Sequence, residues 1–158
     1  MNQQLVKQIL KESDSIIFGE NWLDASFETQ PDRINANHAF IQPSNLKSAA
    51  ELLHHLLVWR KELLSRLSGD PAVKLRMSDE SNWLPLEKLR ATGWEPIVQD
   101  FYSSQEKFKE VLSGQQDDFL LQVHQCSGYT FEQLSRSLIH HDIYHLGQIG
   151  ITIKHLDI

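Results

Sequence analysis

The chain has 158 residues, of which 41% are hydrophobic and 23% charged, and its formal net charge is −6. These values suit a single domain over residues 1–158 that can bury a core of its own, and they argue against a nucleic-acid-binding protein, which needs a concentrated basic face. The lone cysteine, the absence of a membrane-length apolar run and a first segment unlike a signal peptide predict a cytoplasmic protein.

The first helix is predicted over residues 3–18, where apolar residues recur at helical spacing. Gly19 is expected to end it, because glycine readily adopts the left-handed conformation that closes a helix. Residues 20–44 are predicted to form a long ordered connection, since Pro31 and Pro43 interrupt any long element. A connection of this length is uncommon unless it is functional or covers something.

The second helix is predicted to begin at a cap formed by Ser44 or Asn45 and to run to Leu67, with Gly69 beyond its end. The other segments predicted as helical are a turn at residues 84–89, a third helix from near Pro96 to Gly114, a short helix at residues 117–123, and a fourth helix from the cap Thr130 to about His155. No segment alternates as a strand would. The sequence therefore predicts an all-α fold, a four-helix bundle with long crossover connections.

The sharpest chemical signal lies on the fourth helix, where His141 and His145 are four residues apart. On a helix they lie one turn apart on the same face, so that two imidazoles can share one ion. The apolar seam of this helix runs through both positions, at Leu134, Leu138, His141, His145 and Ile149. We therefore expect both side chains to point into the bundle, where a metal ion would offset the cost of burying them. A histidine pair that binds no metal is the alternative, because the spacing also arises by chance in a chain with eight histidines.

The second helix offers His54 or His55 as a third ligand. His55 shares its face with Trp59 and Leu63, whereas His54 shares its face with Lys61, so the helix geometry favours His55 without deciding the choice. Three histidines with open coordination positions are typical of catalytic metal sites. Imidazole ligands suit zinc, nickel, iron and copper.

A di-metal carboxylate site is the competing constellation, built on Glu51-x-x-His54 and Asp142-x-x-His145. It would enlist Glu12 on the first helix and Glu106 or Glu110 on the third. Asp142 and Gln148 flank the paired histidines and are expected on the helix surface, with a supporting role behind the ligands as the alternative. His140 is a weaker candidate ligand, and Cys126 is expected to be buried. The tryptophans are expected in the core or covering it: Trp22, Trp59, Trp83 and Trp94.

Three segments of the chain together resemble the DinB family of bacterial proteins. They are residues 18–22 (FGENW), residues 55–60 (HLLVWR) and, most specifically, residues 141–149 (HDIYHLGQI). The resemblance implies a four-helix bundle that holds one divalent metal ion through His55, His141 and His145. Zinc and nickel are the first expectations for this ion, followed by iron and copper. It also implies a homodimer.

Two functional hypotheses follow from the resemblance. One is a metal-dependent enzyme, such as a hydrolase or a thiol S-transferase that uses a low-molecular-weight thiol of the bacillithiol or mycothiol kind. The other is a non-catalytic metal-binding or interaction bundle. The enzyme hypothesis predicts a cavity at the site, lined by Trp59, Tyr144 and connection residues such as Trp22, whereas the second hypothesis predicts a packed or metal-free site.

Overall fold

The computed structural model describes residues 2–19, 21–30, 34–70 and 75–156. Within these ranges no strand forms, apart from one isolated bridge between Val123 and Thr130, so the predicted all-α class is confirmed. The α-helices are α1 (Gln4–Phe18), α2 (Ala49–Leu67), α3 (Leu86–Thr92), α4 (Trp94–Ser113), α5 (Asp117–Leu120) and α6 (Phe131–His155), with a 3₁₀ turn at Glu80–Asn82.

The four long helices form the bundle. Helix α2 packs on α4 and α6, and α1 packs on the same two helices, so that α1 and α2 occupy opposite corners. The connections from α1 to α2 and from α4 to α6 therefore each cross between diagonal corners, which confirms the predicted crossover topology. The core between the helices contains large apolar side chains such as Ile9, Leu53, Phe101, Phe108 and Ile153.

Helix α2 begins at Ala49, so the predicted cap at Ser44 or Asn45 is wrong. Ser48 is the cap instead: its hydroxyl accepts from the amide of Glu51, and the Glu51 carboxylate accepts from the amide of Ser48. This reciprocal pair satisfies two amides that the first turn of a helix would otherwise leave open. Ser44 has a positive φ of 55°, which is incompatible with the start of a right-handed helix.

The remaining helix ends follow the sequence more closely. Gly19 ends α1 with a φ of 102°, and Thr130 caps α6 through a reciprocal pair with Gln133, both as predicted. Helix α4 starts at Trp94, two residues before the predicted Pro96, because a proline is tolerated anywhere in the first turn, where its missing N–H has no helical partner. None of the helices in the described ranges is both long and apolar enough to cross a lipid bilayer.

Candidate metal centre

Three histidine rings from two helices converge where α2 packs on α6. The Nε2 atom of His141 lies 3.1 Å from Nε2 of His55 and 3.0 Å from Nε2 of His145. Two nitrogens bound to one tetrahedral zinc ion at about 2.1 Å lie about 3.4 Å apart, so this spacing is close to that of a shared ion. Among the described residues, no other group of three or more histidine, cysteine or acidic side chains is placed to hold an ion.

The partners of the outer ring nitrogens fix which atoms face the centre. His55 donates from Nδ1 to the carbonyl oxygen of Asn82 at 3.0 Å, and His145 donates from Nδ1 to Oε1 of Gln148 at 2.6 Å. Because these oxygens only accept, both histidines keep their proton on Nδ1 and direct the lone pair of Nε2 inward. A neutral His141 carries at most one proton on Nε2. This proton can satisfy the lone pair of His55 or that of His145, and the second lone pair stays unsatisfied. A shared cation would satisfy all three nitrogens, so the donor set fits a metal ion.

Burial keeps the three imidazoles neutral. It lowers the pKa of His141 to about 3, and the neighbouring His145 and His55 add to the effect. Burial also lowers the pKa of His145 to about 4 against the opposing hydrogen bond to Gln148, and it lowers the pKa of His55 despite the hydrogen bonds to Asn82. Neutral imidazole is the form that binds a metal, so all three rings are ready to bind near neutral pH.

The connection between α2 and α3 holds His55 in place, a role that the sequence did not reveal. The Trp83 ring stacks on the His55 ring with 4.0 Å between centroids and 7° between planes. The side chain of Asn82 is fully buried; it accepts a hydrogen bond from Trp59 Nε1 at 2.9 Å and donates one to the carbonyl oxygen of Met77 at 3.1 Å. The 3₁₀ turn thus fixes both the ring plane and the tautomer of His55.

A buried ion pair lies next to the histidines. Arg60 on α2 donates through Nε and Nη2 to the two carboxylate oxygens of Asp142 on α6, and each residue is only 1% exposed. Burial raises the pKa of the Asp142 carboxyl, and the Arg60 guanidinium opposes that rise. The expectation that Asp142 lies on the helix surface is therefore wrong.

The sequence did contain a signal for this pair. Asp142 lies seven residues from Ser135 and seven from Ile149, both of which are buried in the core stripe of α6. Arg60 lies seven residues from Leu53 and seven from Leu67, both of which are buried on α2. Opposite charges at core positions of two helices indicate a buried ion pair, because an unpaired charge there would be too costly.

A cavity of about 740 Å³ opens beside the triad. It lies between α2, α6 and the connection after α2, and its lining is mostly apolar and aromatic. Lining residues include Lys47, His55, Trp59, Leu63, Met77, Trp83, Leu138, His141, Tyr144 and His145. Trp59 and Tyr144 line the cavity as predicted. The prediction for Trp22 is wrong, because this side chain is 91% exposed and is not part of the lining.

Comparison with known families assigns the chain. A family model described as the DinB superfamily matches residues 20–149, which include all three histidines of the triad. The chain belongs to the DinB superfamily. No curated protein and no solved structure matches it significantly. The resemblance inferred from the three sequence segments is thereby confirmed at the level of the family.

The acidic residues considered for a di-metal site have other partners in this DinB bundle. Glu51 binds Ser48, Lys47 and Gln42, and Glu12 pairs with Arg136. Glu106 and Glu110 are exposed on α4, where each binds a lysine. The described residues therefore do not assemble the carboxylates that this alternative requires.

Three further expectations concern single side chains. His140 is exposed, which agrees with its rank as the weaker ligand candidate. His54 lies outside the triad, so the structure brings His55 and not His54 to the paired histidines. Cys126 was expected to be buried, and this was wrong: it lies exposed in the turn before α6.

Proposed function

We propose that this DinB protein is a metal-dependent enzyme that binds one divalent transition metal ion, zinc or nickel in the first instance, through Nε2 of His55, His141 and His145. The observation that carries the proposal is the convergence of three neutral imidazoles on one point at the wall of a cavity. Three ligands leave coordination positions for a substrate, as in catalytic rather than structural metal sites.

The surroundings of the triad favour an anionic group on the substrate. A divalent ion bound there would supply a Lewis acid that favours the deprotonated form of a thiol or water. No described acidic side chain joins the three neutral histidines as a ligand. The positive charge of the bound ion would therefore be left for the substrate to balance. Lys47 also lines the cavity, where Glu51 balances its charge, and its ammonium lies 4.9 Å from the centroid of the Trp83 ring. We propose a low-molecular-weight thiol as one substrate, with hydrolysis as the second candidate reaction.

The non-catalytic alternative finds less support in the geometry. A purely structural or interaction site needs no space beside its ligands, whereas a cavity of about 740 Å³ adjoins this triad. A volume of this order suits a small organic ligand. The homodimer expected from the family resemblance stays a prediction.

Metal analysis of protein purified without a nickel column tests the binding proposal. We expect about one ion per chain in the wild type and a loss of that ion in His55→Ala, His141→Ala and His145→Ala, because each removes one of three ligands. His140→Ala is the matched control, since this exposed histidine on the same helix lies outside the triad. Full retention of the ion in His141→Ala would contradict the assignment, and two ions per chain would favour the di-metal alternative.

The enzymatic part of the proposal needs a separate assay. Metal-loaded and chelator-treated protein would be incubated with low-molecular-weight thiols and a panel of electrophiles, and with ester and amide substrates. We expect conjugation that depends on the metal and disappears in His141→Ala. A metal-loaded protein that accelerates neither reaction would favour the non-catalytic alternative.

A further inference from the structure

A chain of hydrogen bonds leads from the triad to a tyrosine at the mouth of the cavity. His145 Nδ1 lies 2.6 Å from Oε1 of Gln148, and Nε2 of Gln148 lies 3.1 Å from the hydroxyl oxygen of Tyr144. The rings of Tyr144 and His145 meet edge to face, with 4.9 Å between their centroids. Tyr144 lines the cavity and is 63% exposed, so its hydroxyl group can be reached by a ligand.

The direction of each hydrogen bond in this chain follows from the proposed function, on which this inference rests. If Nε2 of His145 faces a metal ion, its proton must lie on Nδ1, and only the carbonyl oxygen of the Gln148 amide can accept from it. The amide NH₂ group of Gln148 must then face Tyr144. The tyrosine oxygen therefore acts as an acceptor in this contact, and its own hydrogen is left for another acceptor.

Several of the other donors at the cavity wall are already engaged within the protein. The Trp59 indole N–H donates to Asn82, and the Ser137 hydroxyl donates to the carbonyl oxygen of Gln133. Lys47 and Arg66 are paired with Glu51 and Glu62. Tyr144 lies on the same turn of α6 as His145. Its hydroxyl hydrogen is not used in the hydrogen bonds that link His145, Gln148 and Tyr144.

We propose that the Tyr144 hydroxyl donates a hydrogen bond to the ligand in the cavity. The ligand class is a small molecule that binds at the triad through one atom and carries a carboxylate or carbonyl oxygen a few bonds away. Tyr144 would then recognise the part of the substrate that does not touch the metal. No proton is transferred in this contact; the hydroxyl selects ligands that present an acceptor oxygen.

The test uses cobalt-loaded full-length protein and two matched series of probes, mercaptocarboxylates of increasing chain length and alkylthiols of the same lengths. Affinity is followed through the visible absorption of cobalt. For at least one chain length we expect Tyr144→Phe to lower the affinity for the mercaptocarboxylate about tenfold, the order of a hydrogen bond to a charged group. The affinity for the alkylthiols should stay within about twofold, because they present no acceptor oxygen.

Tyr129→Phe is the matched control. Tyr129 is the same residue type, is also exposed and lines the same cavity, but it precedes α6. The axis of α6 runs about 20 Å from its first residue, Phe131, to Tyr144 at 1.5 Å per residue. This variant should bind both series as the wild type does.

Equal losses for both series in Tyr144→Phe, or no loss for any mercaptocarboxylate, would overturn the inference. In the latter case Lys47 or the metal itself would hold the carboxylate. A wild-type protein that takes up no cobalt fails before any thiol is added, and this outcome overturns the proposed function itself.

Discussion

Arg60 and Asp142 show how a charged pair is accommodated among apolar helices. A buried ion pair is tolerated when each polar atom has a partner. Here the third donor of Arg60, Nη1, reaches Oε1 of Gln105 on α4 at 2.9 Å, and the guanidinium lies over the Phe101 ring at 4.7 Å from its centroid. Ser13 on α1 also donates to Gln105, so the pair is connected to all four long helices.

Removing one partner of this pair should be costly. Asp142→Ala leaves the Arg60 guanidinium buried with its charge unbalanced, and we expect the free energy of unfolding to fall by about 3 to 5 kcal/mol. Urea denaturation in the presence of a chelator measures this loss without a contribution from metal. The matched control is Asp100→Ala, which breaks the Lys61–Asp100 pair, whose side chains are 60% and 58% exposed. That change should cost less than about 1 kcal/mol, and equal losses for the two variants would contradict the argument.

The predictability of the site from the sequence differs from residue to residue. His141 and His145 could be placed because the apolar seam of one helix passes through both positions. The choice between His54 and His55 needed the resemblance, since the wide apolar stripe of α2 leaves both faces partly buried. The contacts of Asn82 and Trp83 with His55 could not be foreseen. Both residues contact His55 from an irregular connection 27 and 28 residues along the chain, where no periodicity indicates which side chain faces the core.

At the scale of the elements, helix ends were predictable where local chemistry was unambiguous. Gly19 and the Thr130–Gln133 pair each mark an end by their own conformation or hydrogen bonds. The start of α2 was missed because several candidate caps precede it. A glutamate three residues after the cap is the distinguishing signal. Ser48 has Glu51 at this position, whereas Ser44 has a lysine there and Asn45 a serine.

The corrected cap predicts a difference between two variants at the start of α2. Ser48→Ala removes the hydroxyl that binds the amide and carboxylate of Glu51, and it should lower the free energy of unfolding by about 1 to 2 kcal/mol. Asn45→Ala is the control, because this exposed residue lies before the helix and should change the stability by less than about 0.5 kcal/mol. Urea denaturation of both variants is the measurement. A larger loss for Asn45→Ala would return the cap to its originally predicted place.

At the scale of the whole molecule, the triad joins distant parts of the chain. His55 and His141 are 86 residues apart in the sequence, and they meet only because α2 and α6 pack side by side. The unfolded chain has no such arrangement, so an ion that binds all three rings binds the folded state alone. Binding of such an ion would therefore add to the stability of the bundle.

This coupling gives a prediction for the thermal unfolding of the chelator-treated protein. At a free zinc concentration of one hundred times Kd, the folded state should gain about 2.7 kcal/mol, and for a chain of this length each 1 kcal/mol should raise Tm by about 2 to 4 °C. Circular dichroism at increasing zinc concentrations should show a steady rise in Tm that the chelator reverses. His140→Ala should show the same rise, whereas His141→Ala should show little or none, since it has lost the ring that bridges His55 and His145. An equal rise in both variants would mean that zinc stabilises the protein from another site.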